Sequence, residues 1–396
     1  MIVKLRIHIL IIFLFSSVAT NAQWKLKDNF QYRGYVKDLR VLSLADDSLG
    51  NTQSLQQNLI HNRMNFKLFG RKHWTFAMEL RNRLFYGEFL KYYPRTNTYG
   101  DLLETDPGSV DMSWSWIDDR NFVAHTTIDR LWAHYHSEEW DIRFGRQRVN
   151  WGQNLVWNPN DLFNVLNFAD FDYEERPGMD GVRIQRYFES GSGIELAYQY
   201  NDSWEETVAA MMYRFNKWNY DIQLIAGKYI NDVALGVGWA GNIKTSGFKG
   251  EATWFESTVD SINSQLLASC SWDYSFKKGT YLHTSFLFNS EGTSDLDRLM
   301  QLSAAQGGQL NVKSLMPNKY SLFVQTSHQF HPLLSTDIAV IYAADIGGVF
   351  TMPSIGYSLR QDLDLSLVGQ GIFGVQDGFT SLGSAVFLRL KWSHST

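Results

Sequence analysis

The chain has 396 residues, 44% of them hydrophobic and 15% aromatic, with one cysteine and a formal net charge of −5. A single cysteine excludes an internal disulfide. The acidic balance argues against a nucleic-acid partner, which favours a basic face, and the length admits one large barrel or two ordinary domains.

The first segment reads as an export leader. Lys4 and Arg6 supply a positive start, Ile9 to Phe15 is an unbroken apolar run, and Thr20 and Ala22 occupy the two positions that a signal peptidase reads. Cleavage is expected after Ala22, leaving 23–396 as one barrel domain. The apolar run falls short of the roughly 18 residues of a spanning helix. Loss of Lys4 and Arg6, with no acid, takes the net charge from −5 to −7. Cys270 lies far from the cleavage point, so no lipid attachment site sits beside it. No later stretch could span as a helix. Residence in a membrane therefore requires a closed sheet, the other structure that satisfies its own backbone in lipid.

Period-two alternation then runs along the chain. Trp74, Phe76, Met78 and Leu80 alternate with Thr75, Ala77, Glu79 and Arg81, and Val386, Leu388, Leu390 and Trp392 alternate with Phe387, Arg389 and Lys391. Strand cores fall at 30–42, 56–69, 73–86, 122–136, 139–148, 180–188, 193–200, 207–215, 220–229, 233–240, 248–256, 265–276, 280–289, 319–330, 335–343, 348–359, 363–374 and 381–392. This predicts an all-β fold: a transmembrane antiparallel β-barrel of about 18 strands, within 16–18. The three longest gaps, 87–121, 149–179 and 290–318, follow the third, fifth and thirteenth strands, so all lie at one end of the sheet. Brief gaps alternate with them. Short turns at one end and long loops at the other are the pattern of outer-membrane barrels. The seven-residue gap at 241–247 departs from it, and Pro353 interrupts the sixteenth strand.

The gap at 149–179 is the third long-end loop. Asn158, Asn160 and Asp161 flank Pro159 and favour turns, because their side chains bond local backbone. Trp151, Trp157, Phe163, Phe168 and Phe171 are too apolar for a loop in water, so the segment is expected to fold toward the lumen. GRQRVNWGQNLVWNPNDLFN, followed by ERPGMDGVRIQ, resembles a Gly-Arg-Gln…Trp-Gly…Asn-Pro-x-Asp…Arg-Pro-Gly pattern of porin-like outer-membrane barrels of the alginate-export and related families. The resemblance covers residues 144–186 and implies a channel narrowed by an inward-folded loop. Many such barrels end on an aromatic residue, whereas here four residues follow Trp392.

The charges suggest how the constriction selects. Asp161, Asp170, Asp172, Glu174 and Glu175 lie in the loop, Arg81, Arg83, Arg143 and Arg183 on the polar parity of wall strands, and Arg146, Arg148 and Arg176 beside the loop. An acidic loop facing a basic wall sets up a transverse field; the alternative is a set of ion pairs that anchor the loop. No HExxH, CxxC or P-loop occurs. His134 and His136 share a strand face but lack an obvious third ligand, so no metal is expected. The loop carboxylates could bind calcium or serve glycoside hydrolysis. The leading expectation is an outer-membrane porin, not an enzyme, without a cofactor, passing small polar or anionic solutes. Its partners would be outer-membrane lipid, those solutes and further copies in a homo-oligomer. The competing readings are a barrel with a structural or surface-polymer assembly role, and a secreted carbohydrate-active β-protein.

Overall fold

Segments that alternate apolar and polar residues need a partner along each edge and an apolar medium on one face. A computed structural model describes residues 29–46, 52–92, 99–103, 106, 108–165, 172, 177–294, 311–374 and 380–395. The expected leader, 1–22, lies outside the described residues.

Among the described residues, nineteen strands form one sheet. They are β1 (Phe30–Asp46), β2 (Thr52–Phe69), β3 (Trp74–Tyr86), β4 (Ser113–Asp119), β5 (Phe122–His136), β6 (Trp140–Gln147), β7 (Met179–Tyr187), β8 (Gly193–Gln199), β9 (Val208–Lys217) and β10 (Tyr220–Tyr229). There follow β11 (Asp232–Ile243), β12 (Ser246–Ser257), β13 (Gln265–Ser275), β14 (Thr280–Asn289), β15 (Tyr320–His331), β16 (Leu334–Ala343), β17 (Gly348–Arg360), β18 (Leu363–Gly374) and β19 (Thr380–Ser395). Every pairing is antiparallel, and β1 closes on β19 from Arg33↔Ser395 to Leu44↔Ser384. Closure of β1 on β19 removes the edges that an open sheet would leave at its first and last strands.

Eighteen of these strands coincide with the eighteen predicted cores. The nineteenth, β4, was missed inside the gap 87–121. Its sequence SWSWIDD carries the period-two signal, and its partner explains its presence. β6 ends at Gln147, where the chain leaves the wall, and pairs only with Leu131–His136 of β5. β4 takes over the vacated edge, pairing Ser113–Asp119 with Phe122–Thr127. The gap at 241–247 closes to a tight turn, because β11 and β12 extend to Ile243 and Ser246. Pro353 sits within β17, but the β17–β18 register passes from Thr351↔Gly371 to Ser354↔Val368 without it. A residue with no N–H interrupts that side of the ladder and leaves the strand intact.

The two faces differ sharply. The outer face exposes Leu196, Leu224, Leu235, Ile338 and Leu388. Near the tight-turn end, stacked aromatic pairs lie along single strands: Trp74 with Phe76, Tyr213 with Phe215, and Trp272 with Tyr274. The inner face carries Gln223, Glu251, Thr253, Ser269, Ser271 and Asn289, all buried. Apolar outside and polar inside inverts a soluble protein and matches a barrel whose solvent is lipid.

Candidate functional site: an inward loop and a basic wall

The chain leaves β6 and lies along the inner face of strands β8–β16. Trp151, 2% exposed, donates its indole N–H to Glu195 Oε1 at 2.7 Å and meets Phe163 edge-on at 5.1 Å. Trp157 packs edge-on to Phe323, 6.2 Å between centroids. Glu251, fully buried in the β12 wall, is the main polar anchor. Its Oε1 accepts the backbone N–H of Asn154 at 2.9 Å and that of Gln153, and its Oε2 that of Asn160 at 3.0 Å. Fixed N–H groups are what make a buried carboxylate tolerable. Thr253 Oγ1 donates at 2.8 Å to the carbonyl of Pro159, Ser269 Oγ at 3.0 Å to that of Trp157, and Gln223 Nε2 at 2.8 Å to that of Trp151.

The loop's asparagines therefore do more than mark turns. Asn154 bridges Ser269 and Ser271 of the wall, at 2.7 and 2.6 Å. Asn160 reaches the Val237 carbonyl at 3.1 Å. That approach needs glycine at 236 and 238, where an added Cβ would lie 2.8 Å from the Asn160 amide. Asn164 accepts the Val149 N–H and donates to the Pro177 carbonyl, both at 2.7 Å, and so ties the loop's two ends together.

Opposite this packed half, register assembles a basic wall on β1–β5. Lys37 pairs with His61, His61 with Arg83, and Arg83 with His125, one cross-strand row over four strands. The adjacent row toward the tight turns aligns Arg63 with Arg81. A bulge between Glu79↔Arg130 and Leu80↔Ile128 turns the extra residue, Asp129, inward. Asp129 meets Arg63 at 2.5 Å and Arg81 at 3.4 Å, and Glu79 meets Arg63 at 2.6 Å. On the long-loop side the rows end against an apolar patch of Leu39, Leu59, Phe85 and Val123, covered by Leu90, Tyr99 and Leu103 of the second loop. Arg143 and Arg183 continue the basic surface on β6 and β7, cross-strand partners of each other. Arg183 Nε lies 2.7 Å from Glu195 Oε1, and Arg143 covers the Trp132 ring at 4.6 Å.

The third loop also reaches this wall. Asp172 meets Lys37 Nζ at 2.8 Å and His61 Nδ1 at 3.2 Å. Burial pushes its carboxyl pKa up, but the His61 hydrogen bond and the Lys37 charge outweigh that and hold it below the usual range. The loop is thus fixed on β8–β16 near its start and on β1–β2 at Asp172.

Arg81, Arg83, Arg143 and Arg183 all lie on the inner face. Trp151, Trp157 and Asp161 lie in the layer that packs the loop; Asp161 Oδ1 accepts the Trp151 N–H at 3.3 Å and is buried there. Arg148 is half-buried at the loop's start. Arg146 points to the other face of β6. Beneath Asp106 and residues 108–112 it holds Asp180 and Asp106, each at 2.8 Å, and the Ile128 carbonyl at 3.1 Å. Asp170, Glu174, Glu175 and Arg176 lie outside the described residues, and with them the calcium and acid/base readings of that cluster. Sequence reasoning missed Lys37, His61, Arg63, His125, Asp129 and Glu251. Alternation in β1 and β2 carried a signal for Lys37, His61 and Arg63; Asp129 was hidden by the bulge.

Known structures share this architecture. OccK8 (OprE) of Pseudomonas aeruginosa superposes with a TM-score of 0.58 over 93% of this chain and 99% of that chain, at 9% identity. A BenF-like porin from Pseudomonas fluorescens Pf-5 gives 0.57, 93% and 99%, at 10% identity. Pseudomonas aeruginosa OpdK, solved with vanillate, gives 0.57, 93% and 99%, at 9% identity. No protein-family model and no curated protein matches the chain. The likeness is one of fold: a closed, 18-stranded porin-like barrel.

Proposed function

We propose that the chain is an outer-membrane channel, not an enzyme, that passes small anionic solutes through a lumen narrowed by the third loop. One observation carries the reading: the cations Lys37, Arg63, Arg81 and Arg83 cluster on one wall facing the loop-packed half, four against the three carboxylates Glu79, Asp129 and Asp172 that pair with them. Fixed cations on the wall of a narrow, low-dielectric pore raise the local concentration of anions and repel cations. Carboxylates suit guanidinium donors, which bind them in a planar fork. One neighbour of similar fold, OpdK, was solved with vanillate, an aromatic carboxylate, and so supports this solute class. The alginate-export resemblance of 144–186 adds anionic saccharides as a bulkier candidate of the same charge. In this reading the leader directs export and leaves after Ala22, the tight turns face the periplasm, and the long loops face outward.

The test is single-channel recording of the refolded protein in a planar bilayer under a salt gradient. Steady open steps with an anion-selective reversal potential are expected. Arg81→Glu with Arg83→Glu moves the reversal potential toward cations. A folded, heat-modifiable barrel that never conducts defeats the channel reading. Conductance with unmoved selectivity in the double variant defeats the role given to the basic wall.

A further inference from the structure

At the tight-turn end of the lumen, the β5–β6 hairpin gathers three side chains that the sequence left apart. His134 and His136, two residues apart on β5, face inward together. The register sets Asp141 directly opposite His136, with His134 opposite Arg143. Asp141 thus brings a third possible ligand atom that sequence spacing did not reveal. His134 Nε2 lies 2.8 Å and His136 Nδ1 3.4 Å from Asp141 Oδ2, and one ligand atom from each residue falls within 4.8 Å of the others.

We infer that His134, His136 and Asp141 form a binding site for one divalent transition-metal ion at the periplasmic mouth of the barrel. Two imidazoles and a carboxylate are a familiar open set for zinc or copper. Metal–ligand bonds of about 2.0–2.1 Å in a tetrahedron put ligand atoms about 3.3 Å apart; the two separations to Asp141 Oδ2 bracket that value, and all three ligand atoms lie within 4.8 Å of one another. A hairpin with a three-residue connection, 137–139, holds the ligands with little left to order on binding. Access and need are also present. The His136 side chain is 61% exposed, whereas Asp141 is buried and its Oδ1 has no hydrogen-bond partner among the described residues. Arg183 Nη1 stands 4.0 Å from that oxygen, and Arg143 is on the same face. These cations select against calcium or magnesium, which depend on carboxylate charge. Ions bound chiefly through imidazole nitrogen tolerate them better.

The inference does not depend on the channel reading, because binding is measured without conductance. The full barrel, refolded in detergent and untagged, is dialysed against Zn²⁺, and in parallel loaded with Cu²⁺ for electron paramagnetic resonance. One saturable Zn²⁺ per chain is expected, with a Cu²⁺ spectrum showing two nitrogen ligands. His134→Gln and Asp141→Asn each weaken binding by about tenfold or more. If His134→Gln fails to refold, His136→Gln carries the test, since that ring is largely exposed. Absence of stoichiometric binding overturns the proposal, as does an affinity unchanged in folded variants, which places the ion elsewhere.

Discussion

Glu251 offers the sharpest test of how the third loop is held. It stands in the wall, and its three hydrogen bonds all go to loop backbone: Gln153 and Asn154 on Oε1, Asn160 on Oε2. Glu251→Gln keeps one acceptor oxygen and replaces the other by an amide NH₂, so at least one loop N–H loses its acceptor. Glu251→Ala removes all three. A buried N–H left unsatisfied costs about 1–3 kcal/mol, and each 1.4 kcal/mol is about tenfold in an equilibrium. Loop release should therefore rise about 5- to 150-fold in Glu251→Gln and further in Glu251→Ala, with water entry limiting the full sum. Neither change touches a ladder hydrogen bond, so the closed wall survives. Amide hydrogen exchange at 153, 154 and 160 reads the effect directly, with heat-modifiable migration as the control for an intact barrel. Protection should fall in the order wild type, Gln, Ala. Equal protection in all three would show that the apolar contacts of Trp151, Trp157 and Phe163 hold the loop unaided.

Trp151→Ala with Trp157→Ala empties two buried sites, each costing about 3–5 kcal/mol; single-channel conductance should increase, and unchanged steps would contradict a loop docked across the lumen. Asp172→Asn removes the anion between Lys37 and His61 and should raise anion selectivity in the same recordings. The lowered carboxyl of Asp172 sets the sign of its pH dependence: its contribution is full above roughly pH 4–5 and fades only as pH falls from the ordinary value toward the lowered one. Loop protection measured from pH 7 to 5 should thus be flat at this contact, and a decline there that Asp172→Asn abolishes would refute the assignment. Arg146→Ala leaves the buried carboxylates of Asp106 and Asp180 without their guanidinium and should destabilise the barrel by about 3–5 kcal/mol. A lower temperature for loss of the compact, fast-migrating form in electrophoresis would register it.

Local chemistry settled the strands. Alternation in β3 or β19 follows from one apolar and one aqueous face, and it is complete within each segment, so eighteen wall strands and the loop asymmetry could be read without a structure. Parity also placed Arg81, Arg83, Arg143 and Arg183 on the polar face. Parity failed at Asp129, where a bulge adds a residue; it did put Arg146 on the outward face, but not the loop distant in sequence that covers its charge there. What needed the tertiary structure was everything set by register between strands. The row Lys37, His61, Arg83 and His125 joins residues up to 88 positions apart, Glu251 meets a loop some ninety residues earlier, and Asp141 completes a cluster only because the hairpin pairs it with His136. A strand's sequence fixes which side chains face inward. It does not fix which strand lies opposite or at what offset, because backbone ladder bonds are the same for every residue but proline, and the sum of many weak side-chain contacts selects one register.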